Sequence, residues 1–160
     1  MSKFIPRTEA PREDNHYYFR DNVYHQNGYG MPNCTAYAWG RFYEITGEYP
    51  RLSRRDAERW WGYVEDGYER GQTPRLGAIA CWSKGSTETD DDGSGHVAVV
   101  EAINTDNSIL TSNSAWQSTF FYTQNLPYPY RLGSYTFQGF IYLPTDFDSG
   151  GVPLWLLFKF

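Results

Sequence analysis

The chain has 160 residues, which is enough for one domain with a hydrophobic core and too few for us to expect two. Charged residues make up 21% and aromatic residues 19% of the sequence, a balance that excludes an intrinsically disordered protein. The formal net charge of −5 argues against a nucleic-acid partner, which requires a basic surface.

The N-terminal region predicts no regular structure. Residues 1–15 are polar and contain two prolines, so we expect an extended lead-in. Residues 17–29 are aromatic and rich in Asn and Gly, which favours an irregular segment. Residues 1–11 lack the apolar stretch of a signal peptide, and we therefore expect synthesis in the cytoplasm.

A first helix is predicted over residues 33–46, with Asn33 as its N-cap and Gly47 as its C-terminal stop. Cys34 falls on the first turn, where unpaired backbone N–H groups and the helix dipole favour a thiolate. Cys34 is therefore the candidate nucleophile. Cys81 lies in the middle of an apolar run and is typical of an inert core residue.

A second helix is predicted to begin at Ser53. The run Ser53-Arg54-Arg55-Asp56 resembles a capping box with Asp in place of Glu. Leu52 and Ala57 stand at the positions of a hydrophobic staple.

The pattern changes from helical to strand-like after residue 74. Helices followed by strands, without βαβ alternation, predict an α+β fold with an antiparallel sheet. The five predicted strands cover residues 77–83, 96–103, 108–112, 119–123 and 135–143. Pro144 ends the last strand, and residues 146–160 are predicted as a linker and an apolar tail too short to span a bilayer.

A thiolate nucleophile needs a base, and the base needs a group that orients it. His96 opens a strand directly after Gly95 and is the best placed of the three histidines. A two-residue turn between the second and third predicted strands brings Asn113 to the same side of the sheet as His96. A three-residue loop would invert that parity and separate them.

Six Trp and fourteen Tyr are too many for the core alone, so some are expected to line a groove that holds a sugar or a peptide. We predict substrate contacts from Tyr29, Trp39 and Trp116.

Five segments of the chain resemble a known family, the CHAP domains, which are cysteine, histidine-dependent amidohydrolases/peptidases. Similarity is greatest to the peptidoglycan-cleaving domains of phage endolysins and related cell-wall hydrolases. The first segment is Pro-Asn-Cys-Thr-Ala-Tyr-Ala-Trp-Gly-Arg-Phe at residues 32–42. The others are residues 77–82, 95–101 (Gly-His-Val-Ala-Val-Val-Glu), 109–116 and 137–142.

The resemblance implies a papain-like α+β fold with N-terminal helices packed on an antiparallel sheet. It implies Cys34 as nucleophile, His96 as general base and later acid, and Asn113 as the orienting residue. Some relatives bind calcium through acidic residues just before the cysteine, but residues 24–33 contain no Asp or Glu. We therefore expect no metal site and no cofactor, and we interpret Asp90-Asp91-Asp92 as a solvated loop.

The implied function is hydrolysis of an amide bond in bacterial peptidoglycan by a catalytic domain at residues 1–145, as a monomer or as part of a larger lysin or particle. The N-acetylmuramoyl-L-alanine amidase reaction is our first expectation, and cleavage of the stem or cross-bridge by an endopeptidase is the alternative. A non-catalytic wall-binding module and acyl transfer to an amine are further readings. Without a signal peptide, the protein would reach the wall after holin-type release or from a particle.

Overall fold

The computed structural model describes residues 3–84 and 94–147, so the Asp90–Asp92 loop and the apolar tail at 152–160 lie outside the described residues. Two α-helices precede the sheet, α1 at Val23–Gln26 and α2 at Cys34–Thr46. Two single 3₁₀ turns follow at Ala57–Arg59 and Val64–Asp66. No helix among the described residues combines the length and apolarity needed to cross a membrane.

In the described part of the chain the sheet has six strands in the order β1-β6-β2-β3-β4-β5, and all neighbouring strands are antiparallel. The predicted α+β architecture is confirmed. The strands are β1 Arg70–Gly71, β2 Ile79–Ser83, β3 His96–Ile103, β4 Ile109–Asn113, β5 Tyr122–Leu126 and β6 Thr136–Ile141. The predicted fourth strand begins three residues too early, and β1 and α1 were not predicted.

Alternate side chains of the central strands are buried on opposite faces of the sheet, as strand geometry requires. One face packs against α2 through Ile79, Cys81, Val97 and Val99. The other face, with Ala80, Trp82, Ala98 and Val100 among its residues, is covered by the loop that carries Tyr130. Burial on both faces explains why β2 and β3 appear in the sequence as nearly continuous apolar runs.

Helix α2 has the predicted limits because both ends are capped by local signals. The Asn33 side chain accepts a hydrogen bond from the backbone N–H of Thr35 at 3.3 Å. Gly47 adopts a left-handed conformation with φ of 71°, and its N–H donates to the Tyr43 carbonyl at 2.7 Å.

The helix predicted to begin at Ser53 does not form. The Ser53 hydroxyl accepts from the backbone N–H of Arg55 at 3.1 Å, a short turn rather than a helix cap. The buried Tyr24 hydroxyl lies 2.9 Å from the Ser53 carbonyl and 2.8 Å from the Arg55 carbonyl. These tertiary bonds occupy carbonyls that a helix would use internally, so only the 3₁₀ turn Ala57–Arg59 remains.

The β3–β4 hairpin has the three-residue loop that the sequence argument counted as unfavourable. The Asn104 N–H donates to the Ser108 carbonyl at 2.8 Å, and Asn107 has φ of 67° in the left-handed region. The expected two-residue turn is therefore wrong. A β-bulge at Glu101, between the pairs Val100↔Thr111 and Ala102↔Leu110, inverts the parity a second time. Beyond the bulge, the register is the one that brings Asn113 to the side of His96.

Candidate active site

Cys34 is the first residue of α2 and forms part of the wall of an open groove. Its side chain is mostly buried, with 8% of the residue exposed. The residue before it fixes this end of the helix to the sheet, because the Asn33 N–H donates to the Ser114 hydroxyl at 3.0 Å. The thiol is therefore held where α2 meets the end of β4.

Burial raises the pKa of the Cys34 thiol to about 11, although the backbone N–H groups of Val97, Thr35 and Cys34 itself lower it. The helix start alone predicts a lowered thiol pKa. In this site desolvation is the larger effect, so Cys34 is a neutral thiol near pH 7. A separate base is required to remove its proton.

His96 is positioned by Gly95, which has φ of 81°. A Cβ at residue 95 would lie 2.3 Å from the Trp82 carbonyl oxygen, so both the conformation and the space require glycine. The neighbouring Ser94 carbonyl accepts from the Glu58 N–H at 2.8 Å. The chain therefore enters β3 along one defined path, which fixes the position of the imidazole.

The His96 ring lies 2.9 Å from Asn113, from Nε2 to Oδ1. The amide orientation follows from its other contacts, since Asn113 Nδ2 lies 3.0 Å from Thr111 Oγ1, whose own proton goes to the Gln124 carbonyl at 2.8 Å. Asn113 Oδ1 therefore accepts from Nε2–H of His96, which leaves Nδ1 as the ring's basic nitrogen. Burial lowers the pKa of His96 below 6.5, the hydrogen bond to Asn113 opposing this, so the ring is neutral near pH 7.

The groove that contains Cys34 and His96 has a volume of about 720 Å³. Tyr29 and Trp116, two of the three predicted substrate contacts, line it with 56% and 49% of their surfaces exposed and their ring centroids 6.0 Å apart. Their role in binding stays a prediction. Aromatic rings exposed in this way present flat apolar faces to a ligand.

The third predicted contact, Trp39, does not reach the groove, and this prediction is corrected. Its side chain is fully buried and packs edge-on against Tyr43 and Tyr49. Five residues along an α-helix rotate a side chain by about 140°, which points Trp39 away from the side that carries Cys34.

A buried carboxylate that the sequence argument did not single out connects the elements that carry the candidate residues. Glu101, at the bulge in β3, accepts two hydrogen bonds from Arg41 of α2, at 3.0 and 2.9 Å. It also accepts from the Ser112 hydroxyl of β4 at 2.7 Å, next to Asn113. In the sequence, Glu101 is visible only as a charged residue near the end of an apolar strand. Its burial follows from the tertiary contacts with Arg41 and Ser112.

Among the described residues, no group of three or more His, Cys, Asp or Glu side chains could hold a metal ion. The expectation of no metal and no cofactor stays a prediction.

Comparison with known proteins identifies related sequences. The family model of the CHAP domain matches residues 24–115. An N-acetylmuramoyl-L-alanine amidase sle1 of Staphylococcus epidermidis is 32% identical over 108 residues, which cover 63% of this chain and 29% of the relative. A probable autolysin SsaALP of Staphylococcus aureus is 37% identical over 89 residues, covering 55% of this chain and 31% of the relative. The chain thus matches less than a third of the length of these relatives.

A solved structure shares the fold. The crystal structure of an N-acetylmuramoyl-L-alanine amidase from Staphylococcus aureus superposes with a TM-score of 0.50 at 24% sequence identity. The match covers 69% of this chain and 32% of that chain.

Proposed function

The chain belongs to the CHAP domain family, and on this premise we propose that it hydrolyses an amide bond of bacterial peptidoglycan with Cys34 as the nucleophile. The observation that carries the proposal is the convergence of Cys34 and His96 on one groove, with Asn113 bonded to His96 at 2.9 Å. A thiol, a base with one free nitrogen and a group that orients the base are what thiol-dependent amide cleavage requires.

The reaction begins with a neutral pair. His96 Nδ1 takes the proton from the Cys34 thiol as the sulfur attacks the carbonyl carbon of the amide. The Cys34 backbone N–H, at the start of α2, is a donor to the oxyanion that develops. The His96 imidazolium then gives its proton to the leaving amine as the C–N bond breaks and a thioester forms.

Water completes the cycle. His96 Nδ1 accepts a proton from the water that attacks the thioester carbonyl. The C–S bond then breaks, the carboxylic acid leaves, and the imidazolium returns its proton to the Cys34 sulfur. Asn113 holds Nε2–H throughout, so the same ring nitrogen serves as base and as acid in both halves.

We propose the bond between muramic acid and L-alanine as the target, since the amidase sle1 of Staphylococcus epidermidis and the solved Staphylococcus aureus protein carry that activity in their names. Digestion of purified peptidoglycan followed by mass spectrometry tests this choice. New free L-alanine amino termini on intact stem peptides are expected. Split stems or cross-bridges would instead identify an endopeptidase, and wall binding without any cleavage would identify a non-catalytic module.

We also propose the setting that the resemblance to phage endolysins implies. The chain would be made in the host cytoplasm and reach the wall by holin-type release or from a particle, acting as a bacteriolytic enzyme. Expression in a sensitive host with and without a holin tests this, and lysis should require the holin. The division into a catalytic domain at 1–145 and a tail at 146–160, and the monomeric state, also stay predictions.

A further inference from the structure

The segment Leu52–Ala57 forms a fixed turn at the edge of the groove. Leu52, Ser53 and Ala57 are each 3% exposed and anchor its two ends. Two buried side chains bind the backbone between these ends. The Tyr24 hydroxyl contacts the Ser53 and Arg55 carbonyls, and Trp60 Nε1–H lies 3.2 Å from the Arg55 carbonyl. The backbone of this turn is therefore fixed, while the intervening side chains are exposed.

Two of these exposed side chains, Arg54 and Arg55, line the same groove as Cys34. Neither forms an ion pair with a carboxylate of the described residues. The structural arginines behave differently, since Arg41 is paired with Glu101 and Arg70 with Asp66. Asp56 also lines the groove, so this turn presents two positive charges against one negative charge. The charge of Asp56 is the one that acts on the Cys34 thiol, where it raises the pKa.

Resting on the proposed function, we propose that Arg54 and Arg55 form a subsite for a carboxylate in the peptide part of the substrate. A guanidinium presents a planar fork of N–H donors that matches a carboxylate with two parallel hydrogen bonds. The chain as a whole has a net charge of −5, so Arg54 and Arg55 are the charged groups of the described groove that favour an anionic ligand. Peptidoglycan stem peptides carry glutamate and terminal carboxylates, whereas the glycan amide under attack is neutral.

The fold of the turn supports this assignment. The sequence alone favours a helix from Ser53, yet Tyr24 and Trp60 hold the chain in a non-helical turn that presents consecutive arginines to the groove. Departures from local preference that tertiary contacts maintain are concentrated at functional sites. A binding role accounts for both the turn and the exposure of its charges.

Equilibrium binding to the Cys34→Ala variant tests the subsite without turnover. The probes are N-acetylmuramoyl-L-alanyl-D-glutamate with both glutamate carboxylates free, and the same molecule with both as amides. We expect the dicarboxylate to bind at least about tenfold more tightly at low ionic strength, as charge-assisted bidentate bonds allow. Added salt should reduce the difference.

Adding Arg54→Gln and Arg55→Gln together should abolish that preference and leave the affinity for the diamide unchanged. Arg59→Gln is the matched control, because Arg59 is exposed two residues after Ala57 but does not line the groove. Equal binding of the two probes to the parent variant, or a preference that survives the double substitution, would overturn the subsite. Failure of the proposed function would appear separately, as absence of peptidoglycan cleavage by the wild-type chain.

Discussion

The two free cysteines occupy regions that differ in geometry far more than in burial. Both thiols are buried, and burial raises the pKa of each. Cys34 stands at the start of a helix and lines the same open groove as His96. Cys81 is fully buried in the middle of β2, where its thiol contacts the Ile79 carbonyl at 3.7 Å. A place on the groove wall that His96 also lines, rather than thiol acidity, therefore distinguishes Cys34, the proposed nucleophile, from Cys81 in the core.

Removing each thiol in turn gives the largest expected contrast. Cys34→Ala should lower peptidoglycan hydrolysis by at least about a thousandfold while the fold is retained, since no other group can form the thioester. Cys81→Ala should keep hydrolysis within about twofold and cost about 1 kcal/mol of stability, because it leaves a small cavity. Wall-release assays and thermal unfolding of both variants measure this. Loss of activity in a folded Cys81→Ala protein equal to that in Cys34→Ala would contradict the distinction.

A buried charge network joins α2, the helix that begins at Cys34, to the sheet, and a separate buried pair, Arg70–Asp66, lies near Cys81. Glu101→Gln would leave the buried Arg41 guanidinium with Glu44, which it shares with Arg7, as its remaining ion-pair partner, and we expect a loss of about 3 kcal/mol in the free energy of unfolding. Glu65→Gln is the control, since Glu65 is exposed and forms no ion pair with the described residues. Chemical denaturation of both variants provides the test, and equal stabilities would show that Glu101 does not tie α2 to the sheet.

Alkylation by iodoacetamide should separate the two thiols and report the protonation of Cys34. In the native protein only Cys34 should react, because Cys81 has no exposed surface. Because the pKa of Cys34 is raised to about 11, the fraction of thiolate increases about tenfold for each pH unit below that value. The rate of alkylation should therefore rise by about a hundredfold from pH 7 to pH 9. His96→Ala should change this rate little, since the ring is neutral at these pH values. A rate already constant between pH 6 and 8 would indicate a preformed thiolate–imidazolium pair instead.

The smallest effect concerns the partner of His96. Asn113→Ala removes the acceptor that holds Nε2–H, and we expect the turnover rate to fall by at least about tenfold with little change in KM.

Asn113→Asp restores an acceptor but adds a negative charge, which raises the pKa of His96. Because the base must be deprotonated, the acidic limb of the pH–rate profile should move to higher pH in that variant. In the wild type the limb should lie below pH 6.5, since burial lowers the pKa of His96. If the acidic limb of the pH–rate profile did not move in the Asn113→Asp variant, residue 113 would not be in contact with His96 during turnover.

The sequence predicted those features that depend on neighbouring residues. Asn33 and Gly47 limit α2 through local capping, and β3 begins and ends where its apolar run does. The failures have tertiary causes. Tyr24 prevents a helix at Ser53, and the orientation of α2 buries Trp39. The β3–β4 hairpin departs from the prediction in two ways that cancel. Its three-residue loop inverts the register that a two-residue turn would give, and the bulge at Glu101 restores that register.

The groove arginines could not be predicted for the same reason. In the sequence, Arg54 and Arg55 look like the solvated first turn of a helix. Only the contacts of Tyr24 and Trp60 with distant backbone carbonyls show that they face the groove with Cys34.

In the proposed mechanism, Cys34 becomes acylated by the glycan side of the muramoyl–alanine amide. Acid quenching during digestion of peptidoglycan, followed by peptide mass spectrometry, would detect that intermediate directly. We expect a thioester on the Cys34 peptide that carries muramic acid through its lactyl carbonyl, and none on the Cys81 peptide. A stem-peptide acyl group on Cys34, or turnover without any adduct there in the wild type and with full activity in Cys34→Ala, would contradict it.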